Sequence, residues 1–124
     1  MQTNELTLNE YQLKAMSTCM ESSNNIAYML TGLTAEVGEI NDKIAKAVRK
    51  NQIKITRNNL CTWNDRTPSD FRDNLIKEIG DVLWFVAGLS KVLGVNLNDV
   101  AQGNLDKLQS RKQRGVIDGN GDNR

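Results

Sequence analysis

The chain has 124 residues, enough for one domain with a core of its own but not for two. With 39% apolar residues, 25% charged residues and a single proline it reads as globular, and a formal charge of +1 gives no overall pull toward nucleic acid or a membrane surface. The absence of histidine excludes Ser-His-Asp and Cys-His catalysis, His-ligated zinc and Glu-x-x-His di-iron sites, so acid–base or metal chemistry has to rest on carboxylates.

The N-terminus is polar (Gln2, Thr3, Asn4, Glu5) and predicts no secretion signal. A helix is expected from Leu8 to Glu21, opened by a capping box of Thr7 and Glu10 with Leu6 stapled on Tyr11. Cys19 and Cys61 form no C-x-x-C pair and read as reduced thiols of a cytoplasmic protein. A second helix is expected from Asn24 to Lys50. The polar connection 51–66 follows, in which Ile53-Lys54-Ile55 is too short to predict a strand. Thr67 as N-cap, Pro68 at N1 and Asp70 at N3 start a third helix, which runs to Leu93 with Gly94 just beyond its end. Asn96 and Asp99 start a fourth, Leu97 to Arg114, stopped by Gly115. Residues 116–124, rich in Gly, Asn and Asp, read as a coil tail after a helical domain spanning 1–115. No apolar run approaches the roughly 20 residues of a bilayer span. The economical architecture is all-α, a four-helix bundle.

On the second helix Ile26, Leu30, Leu33, Val37, Ile40, Ile44 and Val48 recur at helical spacing, and Glu36 and Glu39 share one turn on a flank of that stripe. On the third, Leu75, Ile76, Ile79, Val82, Leu83, Val86, Leu89 and Leu93 form the apolar face, and Glu78 and Asp81 flank it on the same rotational side. Two facing antiparallel helices are related by a two-fold rotation, so the four acids converge on one groove if the helices pack that way. A single E-x-x-E is commonly a solvated face. Two such pairs on matching flanks point instead to a divalent cation, which offsets their mutual repulsion. An all-oxygen donor set favours Mg²⁺ or Mn²⁺.

The fourth helix aligns Asn104, Lys107, Arg111 and Arg114 on roughly one face, either a solvated basic end or a cationic wall for a polyphosphate. Phe85, one turn beyond Asp81, and Trp63 in the connection are the aromatics placed to stack on a base. Trp84 points away from the main apolar face, toward a subunit interface.

Three segments together carry a resemblance: Gly32-Leu33-x-x-Glu36-Val37-Gly38-Glu39-Ile40, Glu78-Ile79-Gly80-Asp81-Val82-Leu83-Trp84, and Asn104-Leu105-x-Lys107-Leu108-x-x-Arg111. The combination resembles the MazG-like nucleoside triphosphate pyrophosphohydrolases of the all-α NTP pyrophosphatase superfamily. The opening Tyr11-Gln12-x-Lys14-Ala15-x-x-Thr18 and closing Gly119-x-Gly121-Asp122-Asn123-Arg124 agree with it. The resemblance implies Mg²⁺ held by Glu36, Glu39, Glu78 and Asp81; on chemical grounds a carboxylate not fully used as a ligand, Glu36 or Glu39, is expected to be the general base. The resemblance implies Lys107 and Arg111 on substrate phosphates, Asn104 positioning substrate, and cleavage of a (deoxy)nucleoside triphosphate to monophosphate and pyrophosphate. Homodimers or homotetramers, whose neighbouring helices complete the site, are also implied. The connection between Glu39 and Glu78 is longer than the family pattern. Two alternatives stay open, a non-catalytic nucleotide-binding or oligomerisation module and a phosphoribosyl-ATP pyrophosphohydrolase.

Overall fold

Helix α1 (Leu8–Met16) opens on a complete capping box, in which Thr7 Oγ1 accepts from Glu10 N–H at 3.1 Å and Glu10 Oε2 accepts from Thr7 N–H at 2.9 Å. This is a computed structural model, and it describes residues 4–56 and 62–124, with backbone alone at 62 and 63. Cys61 and the side chain of Trp63 lie outside the described residues.

The helix stops at Met16, well short of Glu21, because Ser17 and Thr18 turn their hydroxyls back onto the carbonyls of Lys14 and Ala15. Such local bonds compete with the helical ladder. After one 3₁₀ turn (Glu21–Ser23), Asn25 caps α2 (Ile26–Arg49) by accepting from Tyr28 N–H at 2.8 Å.

The connection departs from plain coil. Strands β1 (Ile53–Lys54) and β2 (Thr62–Trp63) pair antiparallel, with Ile53 opposite Trp63. Ile53 is what anchors them, since it is buried with Ala47 and Phe71 in a small second core. The expected capping box at Thr67 does not form. Thr67 Oγ1 accepts from Asn64 N–H at 2.9 Å and donates to the Gln52 carbonyl, so the connection consumes it. Helix α3 (Phe71–Val92) therefore begins after Asp70 rather than at Pro68.

At α4 (Leu97–Gln113) Asn96 is the N-cap residue but its side chain caps nothing. The first N–H groups are satisfied from α1 instead: Gln12 Oε1 accepts from Leu97 at 2.9 Å and Asn9 Oδ1 from Asn98 at 3.0 Å. The same Gln12 donates through Nε2 to the carbonyls of Ala87 (3.3 Å) and Val95 (3.1 Å), binding α1 to the α3–α4 turn.

Helices α2, α3 and α4 end alike. Asn51, Gly94 and Gly115 take left-handed φ values of 55°, 75° and 69°, and the N–H of the next residue returns to Ala47, Ser90 and Arg111. This is the Schellman arrangement, and it satisfies carbonyls that the helix ends leave open.

Helices α2 and α3 run antiparallel, because their contacts descend on one as they ascend on the other. Ala47 meets Phe71, Lys43 meets Glu78, Gly32 meets Phe85, and Met29 meets Gly88. The glycines decide the closeness of the pair. A Cβ on Gly32 would lie 2.0 Å from the Phe85 ring and one on Gly88 2.3 Å from Met29 Sδ, so each glycine is the notch that admits a large core residue. Met16, Met29, Phe85, Ala87 and Leu97 form the main core.

The expected apolar stripes are thereby rotated. Leu30, Val37, Ile76, Ile79 and Leu83 stay exposed along one side of the α2–α3 pair, Ile79 at 57%. Four α-helices are present among the described residues, but α1, α2 and α3 build the core, whereas α4 joins it through Leu97. The other buried residue of α4, Arg111, packs under the closing segment. Among the described residues no helix is long and apolar enough to cross a membrane.

Candidate metal and phosphate site

The antiparallel packing brings the acids of α2 and α3 together. Carboxylate oxygens of Glu36, Glu78 and Asp81 all lie within 4.8 Å of one another, Glu36 and Glu78 half-buried and Asp81 exposed. Partial burial, then the charges of Asp81, Glu78 and Glu39, hold the Glu36 carboxyl above its usual range. Glu39 is exposed and lies outside the three-acid group, but is near enough to act on Glu36 electrostatically. Three hard oxygen donors drawn together against their own repulsion fit a divalent cation of the Mg²⁺ or Mn²⁺ type.

Two neighbours of this cluster were not singled out as site residues from the sequence. Lys43 Nζ lies 3.2 Å from Glu78 Oε1. A signal was present, since Lys43 follows Glu36 by seven residues, two helical turns, and so falls on the same face. Tyr11 approaches from α1, and burial followed by the charge of Asp81 pushes its phenol above the usual value. Only the tertiary docking of α1 brings it there.

The other expected site residues are placed differently. Phe85 is in the core at 8% exposure, with its ring edge-on to Trp84 (centroids 5.0 Å apart) and tilted against Tyr28 (5.7 Å). Burial in the core removes it as a base platform. Trp84 is also internal to the chain, and its Nε1 donates to Ala15 O at 3.2 Å and Thr18 Oγ1 at 3.0 Å, pinning α1 on α3.

Asn104 and Lys107 are exposed on α4. Arg111 is 5% exposed, and its Nη2 donates to the Asp122 carbonyl at 3.2 Å and to Asp122 Oδ1 at 3.0 Å, while Lys107 Nζ is 3.5 Å from the same oxygen. Arg111 Nε is buried without a hydrogen-bond partner. Residues 116–124 are irregular and folded back. Arg124 donates to the carbonyls of Val116, Ile117 and Gly121, and Arg114 to that of Arg124. Among the described residues no ion pair links the α4 cations to the four acids.

A helical protein with a carboxylate-lined groove between two antiparallel helices is the class these features define. The model of the MazG nucleotide pyrophosphohydrolase domain matches residues 24–116, and the chain belongs to that family. It is also 42% identical over 121 residues to the Gene 37 protein of Mycobacterium phage L5, covering 92% of this chain and 96% of that protein. No solved structure matches it.

Proposed function

We propose that the chain is a Mg²⁺-dependent hydrolase that cleaves ribo- or deoxynucleoside triphosphates to the monophosphate and pyrophosphate, with Mn²⁺ as an alternative ion. The observation that carries this reading is the approach of Glu36, Glu78 and Asp81 within 4.8 Å, in a chain of the MazG family. The domain is taken as residues 1–115, with 116–124 as an appendage braced on α4.

Glu36, Glu78 and Asp81 would hold the ion. When bound, it would supply charge neutralisation on the phosphates and a water of lowered pKa. Glu39, outside that group, is the carboxylate left to accept a proton from the attacking water. Lys107 is assigned to phosphate contact and Asn104 to positioning the substrate, and Arg111 to seating the 116–124 loop beside them. Among the described residues the α4 cations make no ion pair with Glu36, Glu39, Glu78 or Asp81, so the α4 of a second copy is assigned to the groove. The exposed apolar line of Leu30, Val37, Ile76, Ile79 and Leu83 is the surface such a dimer would cover.

The test is a panel of ribo- and deoxynucleoside triphosphates with Mg²⁺, scored for monophosphate plus pyrophosphate. Glu39→Gln is expected to lose turnover while still binding the ion, and Asp81→Asn to lose both. Full Mg²⁺-dependent activity in Asp81→Asn would sink the metal assignment, and no turnover by the wild type on any substrate would favour a binding module.

A further inference from the structure

Helix α2 carries two lysines one turn apart at the end of the acidic motif, and the structure treats them differently. Lys46 takes the local partner four residues back, Asp42, at 2.5 Å, with its side chain 54% exposed. Such i,i+4 pairs are the default on a solvated helix face. Lys43 has the equivalent local partner in Glu39, four residues back. It reaches across to α3 instead, with Nζ 3.2 Å from Glu78 Oε1 and only 33% of its side chain exposed.

Glu78 is in turn within 4.8 Å of the carboxylate oxygens of Glu36 and Asp81. It therefore stands between a lysine on one side and the acid cluster on the other. An ammonium group has three donors and no acceptor, and Glu78 is the one partner found for Lys43 among the described residues. The ammonium is thus ion-paired to a member of the acid cluster.

We propose that Lys43 is an additional phosphate-binding residue of this site. Glu78 holds its ammonium at the groove, where it receives a phosphate oxygen of the substrate. The inference rests on the metal and polyphosphate reading above, and it makes two demands of opposite sign. A cation next to a ligand carboxylate opposes a second cation, so removing it strengthens metal binding. The same removal weakens the hold on a polyanion. A lysine that merely supported the fold would shift both affinities in one direction.

The experiment uses the full chain with Lys43→Gln, Lys43→Arg and, as a control on the same helix, Lys46→Gln. Mn²⁺ alone is titrated first by calorimetry, then inorganic tripolyphosphate at saturating Mn²⁺, with far-UV circular dichroism checking that helicity is kept. For Lys43→Gln the expected changes are Mn²⁺ affinity up by roughly 3- to 10-fold and tripolyphosphate affinity down by roughly 5- to 20-fold. Lys43→Arg, which keeps the charge, is expected to hold tripolyphosphate within about 3-fold of wild type, and Lys46→Gln to change neither constant. Equal or weaker Mn²⁺ binding by Lys43→Gln, or unaltered tripolyphosphate binding, overturns the proposal. The two readings fail separately. If the expected shifts appear in a protein that hydrolyses no nucleoside triphosphate, the hydrolase assignment falls and Lys43 stands. If the protein turns over and Lys43→Gln has an unchanged KM, Lys43 falls and the hydrolase stands.

Discussion

Gln12 is the residue whose loss should be felt furthest from its own position. It is buried at 8% exposure and makes three hydrogen bonds to the α3–α4 region, two as donor and one as acceptor. Replacing it by Leu keeps the size and removes all three. The Leu97 N–H, in the first turn of α4, is left buried without a partner, at about 1–3 kcal/mol. The two lost donor bonds add roughly 0.5–1 kcal/mol each, and the buried leucine returns about 1–2 kcal/mol of hydrophobic free energy. The net expectation is a loss of about 2 kcal/mol, or roughly 6–10 °C in Tm for a chain of this size. Urea unfolding followed by far-UV circular dichroism measures it, with the denaturant slope unchanged. Gln12→Glu supplies the contrast. It keeps an acceptor for Leu97 N–H but turns a carboxylate on two carbonyls, so at neutral pH it should be at least as damaging and should recover as the carboxyl protonates. A Gln12→Leu protein within about 0.5 kcal/mol of wild type would refute the cross-helix capping argument.

Three further outcomes are expected. Gly32→Ala places a Cβ 2.0 Å from Phe85, so overpacking of about 1–3 kcal/mol should outweigh the roughly 1 kcal/mol gained in helix propensity. Gly103→Ala, with nothing within 4 Å, should be neutral or stabilising by thermal melting, and equal stability of the two variants would count against the notch. Mg²⁺ should raise Tm by an amount worth about 2.7 kcal/mol at a hundredfold excess over Kd, and the rise should vanish in Asp81→Asn. Finally, the hydrogen bond from Arg111, then the charge and hydrogen bond of Lys107, hold the Asp122 carboxyl below its ordinary value. A depressed carboxylate contributes stability above its unfolded pKa, and that contribution is lost as pH falls through the folded one. The stability gap between wild type and Asp122→Asn should therefore narrow as pH drops below about 4, and a gap independent of pH would contradict the pairing.

What the sequence determined was local or periodic. The Thr7–Glu10 box formed because both partners lie within one turn, and Gly94 and Gly115 end helices because the left-handed backbone there favours glycine. The matched flanks of Glu36 and Glu78–Asp81 were legible because helical spacing fixes rotation, and missing histidine left oxygen donors alone. Tertiary structure decided whatever depended on a competing partner far along the chain. Thr67 did not cap α3 because the Gln52 carbonyl took its hydroxyl, and Arg111 turned from the open basic face to Asp122. Periodicity placed Phe85 near the acids, but it could not say that Gly32 opposes it, and that close approach buries the ring. The same approach rotates α2 and α3 enough to leave one apolar line in solvent and to set Lys43 against Glu78. A helical sequence specifies which residues share a face, whereas the partner that face meets is chosen by packing, through steric fit and hydrogen-bond competition between distant segments.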